Sequence, residues 1–313
     1  MSATTVPRVP LGKNGPLVSR MGLGTMGLTR PTYGAIPIQD EIFAFLDHAY
    51  EAGATFWDSA DYYNDCEEII GKWFKRTGKR DDIFLATKFG YVKNSQTFEL
   101  NTSYKHVKQA RAESLRLLDI ETIDLSVTSA TLRRAVKIAP VAAFQIGYSA
   151  FELYCEGEKG THILDTCREL GVAVVAAMPL GRGLLTTNFI DGTASGHQGN
   201  DVRYQLIPRF MGENREKNIQ RVSQFKGLAD KKGITIAQLA IAWLSRQGDD
   251  IIPIPGTKKI EYFDENWAAL DIVLSDEEEA EIRSFVEKED IAGMPLPPAL
   301  DGWLFRDTKE ESG

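Results

Sequence analysis

Side chains that could do acid–base chemistry stand at the ends of two consecutive predicted strands. A strand at 55–57 runs into Asp58, with Tyr63 shortly after it, and a strand at 83–87 runs into Lys88. A nearby ammonium group favours phenolate and lowers the pKa of a phenol. Such a tyrosine can protonate a carbonyl oxygen that receives a hydride. The pattern predicts Tyr63 as the acid, Lys88 as the group that tunes it and Asp58 as the carboxylate that holds Lys88; ordinary solvated loop residues are the alternative.

A second candidate site is the run Gly256-Thr257-Lys258-Lys259, just before a predicted helix. Backbone N–H groups at a helix N-terminus, together with the helix dipole, favour an anion. The two lysines add local positive charge to a chain whose net charge is -8. Lysines at that end of a helix oppose its dipole, so an anionic ligand explains the pair better than plain solvation does.

These residues need a scaffold that brings strand ends together. Short apolar strands alternate with helices along the chain, which predicts a parallel sheet covered by helices. No G-x-G-x-x-G follows the first strand, so the Rossmann fingerprint is absent. We therefore predict one closed (β/α)8 barrel of the TIM type, whose active site lies where the strands finish. The predicted strands begin near residues 22, 55, 83, 123, 141, 172 and 251.

The domain prediction is a single barrel over residues 1–313. Asn14-Gly15 predicts an N-terminal hairpin at 8–18. A C-terminal helix and tail occupy 275–313, and Ser275 with Glu278 forms a capping box at the start of that helix.

Composition limits the class of protein and its partners. Apolar residues make up 43% and charged residues 26%, as in soluble globular proteins. The chain has no apolar run long enough for a transmembrane helix, and its start lacks the apolar core of a secretory signal. Cys66, Cys155 and Cys167 are widely spaced, which predicts a reducing, cytoplasmic location, structural roles and no metal site. The acidic balance makes nucleic acid a poor partner, and no membrane partner is expected.

Taken together, the motifs resemble those of the aldo-keto reductases, and the resemblance covers essentially the whole chain. The family's D-x-A-x-x-Y spacing matches Asp58 to Tyr63, and its lysine matches Lys88. The branch most similar to this chain is that of the general aldehyde reductases. The resemblance implies a (β/α)8 barrel that reduces small aldehydes or ketones with NADP(H).

The resemblance also implies a cofactor site. Gln145 matches the glutamine that bonds the nicotinamide amide, the loop at 179–184 lies under the pyrophosphate, and the segment at 255–259 holds the 2′-phosphate. Arg182 stands between two glycines, which allow the backbone close to a phosphate. The cofactor-binding residues so implied are Gly24, Thr25, Met26, Gln145, Leu180, Gly181, Arg182, Gly183, Gly256, Thr257, Lys258, Lys259, Glu265 and Asn266.

One β/α unit of the expected barrel is absent from the sequence. The strands that begin near 123 and 141 are only 18 residues apart, although a crossover alone needs at least about 10–12 residues. By resemblance, residues 123–125 start the family's fourth strand, whereas residues 126–135 are similar to the segment after its fifth strand. The missing stretch is about 35–40 residues, one unit of such a barrel, which leaves about seven strands.

The family's catalytic histidine would go with that unit. His48, His106, His162 and His197 do not follow the fourth strand, so none inherits the role by position. Ala177 stands where many relatives have a tyrosine that stacks on the nicotinamide. The predicted losses therefore cluster at the nicotinamide end of the site.

Three functions remain open at this stage: a weak NADPH-dependent reductase, a non-catalytic NADP-binding protein, and an incomplete splice or gene-model form of an active reductase. A barrel that lost one strand exposes two sheet edges or pairs strands that are not normally neighbours. Exposed edges invite aggregation, so we expect a poorly soluble or loosely packed chain. The sequence leaves the oligomeric state and the natural substrate open.

Overall fold

The structure is a computed structural model that describes residues 6–92, 101, 103–120, 125–126, 132–133, 136, 141–192, 201–288 and 290–298. The strands are β1 (Arg8–Pro10), β2 (Leu17–Ser19), β3 (Leu23–Gly24), β4 (Phe56–Asp58), β5 (Phe84–Thr87), β6 (Leu125–Ser126), β7 (Ala143–Gly147), β8 (Ala173–Ala177) and β9 (Ile251–Pro253). The helices are α1 (Met26–Thr29), α2 (Gln39–Glu51), α3 (Cys66–Thr77), α4 (Tyr104–Leu118), α5 (Ile163–Leu170), α6 (Thr187–Ile190), α7 (Arg203–Leu206), α8 (Gly212–Lys232), α9 (Ile236–Arg246), α10 (Ile260–Trp267) and α11 (Asp276–Lys288).

Two parallel sheets form the centre of the fold. One has the order β3-β4-β5-β6 and the other β7-β8-β9, while β1 and β2 pair as the predicted antiparallel hairpin. The sheets meet where Gly24 forms a parallel bridge with Gly256. Among the described residues there is no pairing between β6 and β7. The predicted parallel α/β architecture is therefore confirmed, but the described strands do not close into a barrel.

The interior between the sheets is filled by apolar side chains that alternate along the strands. Ala173 and Val175 of β8 pack inward with Phe56 and Ile252, whereas Val174 and Ala176 face the helices. This alternation follows the two-residue repeat of a strand. The hairpin adds a buried cluster to the same interior, formed by Val9, Leu11 and Val18.

The seam between the sheets is reinforced by Arg20. Its guanidinium donates hydrogen bonds to the carbonyl oxygens of Ser245, Gly248, Asp249 and Ile251, at 2.6–3.1 Å. The Ser245 carbonyl lies in the last turn of α9 and the Gly248 carbonyl just beyond it, where backbone acceptors lack partners within the helix. One side chain thus ties the entry to β3, in one sheet, to the entry to β9, in the other.

The predicted helices and strands agree with the structure apart from small differences at their ends. The capping box before α11 is present, because Glu278 N–H donates to the Ser275 hydroxyl and Ser275 N–H donates to the Glu278 carboxylate. The helix predicted at 260–270 ends as an α-helix at Trp267 and continues as a short 3₁₀ turn. Much of the strand predicted to begin near 123 and the tail beyond 298 lie outside the described residues. Within the described part of the chain, no helix is long and apolar enough to span a membrane.

Candidate active site

A cavity of about 690 Å³ opens at the carboxyl ends of the strands. Small-molecule and cofactor sites usually have volumes of about 300–1,000 Å³. Of the predicted site residues, all line this cavity except Gly181 and Lys88. The structure thus brings most of the predicted residues to one place, and Lys88 lies just behind Asp58.

The three predicted catalytic residues lie together. The Lys88 ammonium Nζ donates to Asp58 Oδ1 at 2.6 Å, donates to the Ser59 carbonyl oxygen, and lies 5.2 Å from the centre of the Tyr63 ring. Parallel pairing of β4 with β5 sets this contact, because it brings the strand ends that carry Asp58 and Lys88 side by side. The Asp58 side chain is 3% exposed and that of Lys88 is 18% exposed. The expected carboxylate–ammonium–phenol group is therefore present at the floor of the cavity.

The net direction of the Tyr63 pKa differs from the sequence-based expectation. Burial raises the pKa of the phenol above its ordinary value, and this outweighs the charge of Lys88, which lowers it as predicted. For Lys88, burial lowers the pKa, but the charges of Asp58 and Tyr63 outweigh burial and raise it. Near neutral pH both groups therefore keep their protons, which suits Tyr63 as a proton donor.

The Asp58 carboxylate has a second partner, on the opposite sheet. The Gln145 side-chain amide Nε2 donates to Asp58 Oδ2 at 2.6 Å. The two carboxylate oxygens of Asp58 are thus divided between Lys88 and Gln145.

The cysteines show no sign of nucleophilic chemistry. All three are buried free thiols. The Cys66 thiol donates to the Thr25 hydroxyl at 3.3 Å, and burial raises its pKa. Burial likewise raises the pKa of Cys155 and Cys167 to about 12. A reactive cysteine needs thiolate at working pH, so these environments favour the structural roles that the sequence predicts.

At the far end of the cavity, the two lysines of the predicted anion site contact neighbouring segments. Lys258 Nζ donates to the carbonyl oxygens of Tyr33 and Ala35 at 3.1 and 2.5 Å. Lys259 lies 3.7 Å from the Glu261 carboxylate and 4.9 Å from the centre of the Tyr262 ring. Lys258 thereby connects the loop after β3 to the loop after β9 across the cavity wall.

The turn beneath the predicted pyrophosphate has an unusual backbone. Gly181, Arg182 and Gly183 have φ values of 57°, 61° and 89°. A Cβ atom at Gly183 would lie 2.4 Å from an Arg203 guanidinium nitrogen, so a side chain there would displace Arg203 and would be strained at this positive φ. Lys258, Lys259 and Arg182 line the cavity wall and provide its cationic groups, while the turn at 181–183 places its backbone along the cavity. The donor set fits a long anionic dinucleotide.

Sequence analysis missed a buried ion pair in the same wall. Arg203 binds the Asp201 carboxylate, donates to the Arg182 carbonyl oxygen at 2.5 Å, and places its guanidinium 5.0 Å from the Tyr33 ring centre. Asp201 and Arg203 are two residues apart in a long loop, a spacing that gives no helix or strand signal. The contacts of Arg203 are with Arg182 and Tyr33, which are distant in the sequence, so no local pattern could have indicated its role.

None of the histidines in the described part of the chain lines the cavity. His48 lies outside it and binds Asp264 through Nε2 at 2.6 Å. His106 begins α4, His162 precedes α5, and His197 lies outside the described residues.

The sequence model of the Aldo/keto reductase family matches residues 20–130 and 126–287. The chain belongs to the aldo/keto reductase family. Aldo-keto reductase str7 of Strobilurus tenacellus is 41% identical over 315 positions, which cover 88% of this chain and 91% of that protein. Aldo-keto reductase yakc [NADP(+)] of Schizosaccharomyces pombe is 37% identical over 343 positions, which cover 97% of this chain and 98% of that protein.

A solved structure of another protein has a fold similar to that of this chain. The glycerol dehydrogenase AKR11B4 from Gluconobacter oxydans superimposes with a TM-score of 0.71 at 23% identity, covering 95% of this chain and 99% of that one. The predicted family is thus confirmed, and so are an NADP-dependent oxidoreductase as the class of enzyme and NADP(H) as its cofactor.

The charge environment of Tyr63 makes a testable prediction. In the ligand-free protein we expect the Tyr63 phenol to ionise above pH 10, because burial outweighs Lys88. Ultraviolet absorbance of phenolate, recorded as the difference between wild type and Tyr63→Phe during a pH titration, measures this pKa. Lys88→Met should raise it further, since the lowering charge is removed. A Tyr63 phenol that ionises near neutral pH would contradict this expectation.

Proposed function

We propose that this chain reduces aldehydes or ketones to alcohols with NADPH, and that it does so weakly because the segment with the family histidine is absent. The observation that carries the proposal is the buried Lys88–Asp58 pair, 2.6 Å apart, beside Tyr63 at the floor of the cavity. Small carbonyl compounds are the proposed substrates.

Each member of this group has a distinct task. The Tyr63 hydroxyl donates its proton to the carbonyl oxygen of the substrate. Lys88 stabilises the negative charge left on Tyr63, because an adjacent cation favours phenolate. Asp58 keeps Lys88 charged and oriented. NADPH, when bound, supplies the hydride, so the protein contributes orientation and a proton.

The proposed cofactor site extends from Gln145 to the loop after β9. Lys258 and Lys259 would hold the 2′-phosphate with the N–H groups of Gly256 and Thr257. The turn around Arg182 would lie under the pyrophosphate. The other residues proposed to contact the cofactor are Gly24, Thr25, Met26, Leu180, Gly181, Gly183, Glu265 and Asn266.

Three observations support the loss of one β/α unit. The alignment with the yakc protein runs over 343 positions, more than the 313 residues of this chain, so that relative has residues without a counterpart here. The family matches the chain in two segments that overlap at 126–130, where the sequence predicts the junction. β6 and β7 flank this point and are not paired within the described residues. A weakened site would result, because a positioned acid–base group typically contributes about 10²–10⁴-fold.

The same observations favour a second candidate. The chain would be a shortened form of an active reductase, with the cofactor-binding end complete and the nicotinamide end incomplete. If the incomplete nicotinamide end supports no catalysis at all, the chain is a protein that binds NADP without turnover. We further propose a single domain over residues 1–313 and a cytoplasmic location, the latter because all three cysteines are free.

The proton-donor role predicts the effect of one substitution. The wild type should oxidise NADPH slowly in the presence of an activated aldehyde such as 4-nitrobenzaldehyde. Tyr63→Phe should lower kcat by about 10²-fold or more, because it removes the proton donor. NADPH affinity, measured by fluorescence titration, should stay nearly constant.

Tyr62→Phe is the matched control, because the adjacent tyrosine lies against Arg30 and Tyr91 instead of Lys88. Its activity should equal that of the wild type. Full activity in Tyr63→Phe would show that Tyr63 is not the proton donor.

The lysine pair predicts cofactor preference. Replacing Lys258 and Lys259 with alanine should weaken NADPH binding by about 10–100-fold, the range for hydrogen bonds to charged groups, and leave NADH binding nearly unchanged. Fluorescence titration with both cofactors measures the two affinities. The control is the double alanine variant of Lys231 and Lys232, an adjacent pair that binds Glu281 and Glu278 away from the cavity. Equal losses for NADPH and NADH would show that the pair does not recognise the 2′-phosphate.

A further inference from the structure

We propose that Gln145 is a positioning residue of the catalytic centre, because its amide holds Asp58 and thereby keeps Lys88 beside Tyr63. This inference rests on the proposed function, since it concerns the same three residues. It adds a fourth member to the group, contributed by the other sheet.

The hydrogen bonds of Asp58 show why the amide matters. Oδ1 accepts from Lys88 and Oδ2 accepts from Gln145, both at 2.6 Å. The Asp58 side chain is almost fully buried. A buried carboxylate oxygen without a partner is costly, so loss of the amide would favour rotation of Asp58 toward another donor. Lys88, the ion-pair partner of Asp58, would move with it.

The position of Gln145 makes this bond a link between the two sheets. Gln145 lies on β7, which pairs with β8, whereas Asp58 ends β4 in the other sheet. The backbone seam between the sheets is at Gly24 and Gly256. On the side of β6 and β7, where no pairing is found among the described strands, the Gln145–Asp58 bond is a direct polar link across the interior. The geometry of the catalytic group therefore depends on where β7 lies.

The same bond fixes the orientation of the Gln145 amide. An ionised carboxylate accepts hydrogen bonds and cannot donate them, so the NH₂ group must face Asp58. The carbonyl Oε1 is then left as an acceptor. A cofactor amide that binds Gln145 would meet this oxygen without displacing Asp58, so cofactor binding and positioning can occur together.

Two variants of Gln145 test the inference. Gln145→Met removes the donor at similar size without adding charge. Gln145→Glu places a carboxyl group against Asp58, and two adjacent carboxylates cannot both ionise freely. Gln238→Glu is the matched control, because Gln238 lies outside the cavity, in the capping box with Thr235 at the start of α9.

In the Met variant we expect kcat to fall by about 10-fold or more at saturating NADPH and substrate. The Tyr63 phenol should also ionise at higher pH than in the wild type, because a displaced Lys88 no longer lowers its pKa. In Gln145→Glu, kcat should fall steeply as pH rises from 6 to 9, because the shared proton that bridges the carboxyl groups is lost. Gln238→Glu should keep the wild-type kcat and pH profile.

A readout without catalysis separates this inference from the proposed function. The carboxyl pair in Gln145→Glu has a raised folded-state pKa, so its stabilising proton is retained at low pH and lost as pH rises. The melting temperature of Gln145→Glu, relative to Gln238→Glu, should therefore decrease from pH 5 to 8. If the wild type proves inactive while this decrease and the Tyr63 shift are found, the proposed function fails and the positioning contact stands. If the melting temperatures run parallel, or if the Tyr63 pKa does not move in Gln145→Met, the inference is wrong whatever the activity.

Discussion

The buried ion pair between Lys88 and Asp58 is the interaction on which the arrangement of the site depends. Two charges removed from water are stable only with close geometry and further hydrogen bonds. The protein meets this requirement with the Ser59 carbonyl for Lys88 and the Gln145 amide for Asp58. Parallel pairing of β4 and β5 brings the two strand ends together, so that Lys88 lies behind Asp58 at the cavity floor. Tyr63 then lies beside a cation that can stabilise its phenolate.

Much of this could be predicted from the sequence, because the relevant rule is simple. Polar residues that directly follow strands of a parallel α/β fold meet at one edge of the sheet. The sequence alone therefore predicts that Asp58 and Lys88 lie together. The N-terminal hairpin and the capping box before α11 arise from equally local signals. These features depend on neighbouring residues and on the periodicity of the chain.

Other features depend on tertiary structure and left no local signal. Arg203 contacts the Arg182 carbonyl, which is distant in the sequence, and Gln145 on one sheet contacts Asp58 on the other. The pKa of Tyr63 illustrates the same limit. The sequence predicts the effect of the nearby charge on Lys88 with the correct sign, but the larger effect of burial depends on how the surrounding chain packs.

Within the aldo/keto reductase family, the proposed loss of one β/α unit is the feature that would affect activity most. The bridge between Gly24 and Gly256 and the proposed anion-binding end lie on the side of the molecule away from β6. The β/α unit and the histidine that the sequence predicts to be missing belong to the side of β6 and β7. Single large-to-small changes in a core typically cost about 2–5 kcal/mol, against a total stability of about 5–15 kcal/mol. The loss of a whole unit should therefore weaken packing and catalysis together.

The most direct test compares NADPH oxidation by this chain with that of a version carrying a β/α segment of about 35–40 residues after Leu125, one barrel unit whose strand ends in histidine. A thermal melt of both proteins accompanies the assay. We expect a sharper, higher melt for the longer version and turnover raised by about 10²–10⁴-fold, the usual contribution of a positioned acid–base group. A sharp, high melt for the chain as it stands, with turnover equal to that of the longer version, would contradict the loss of a functional unit.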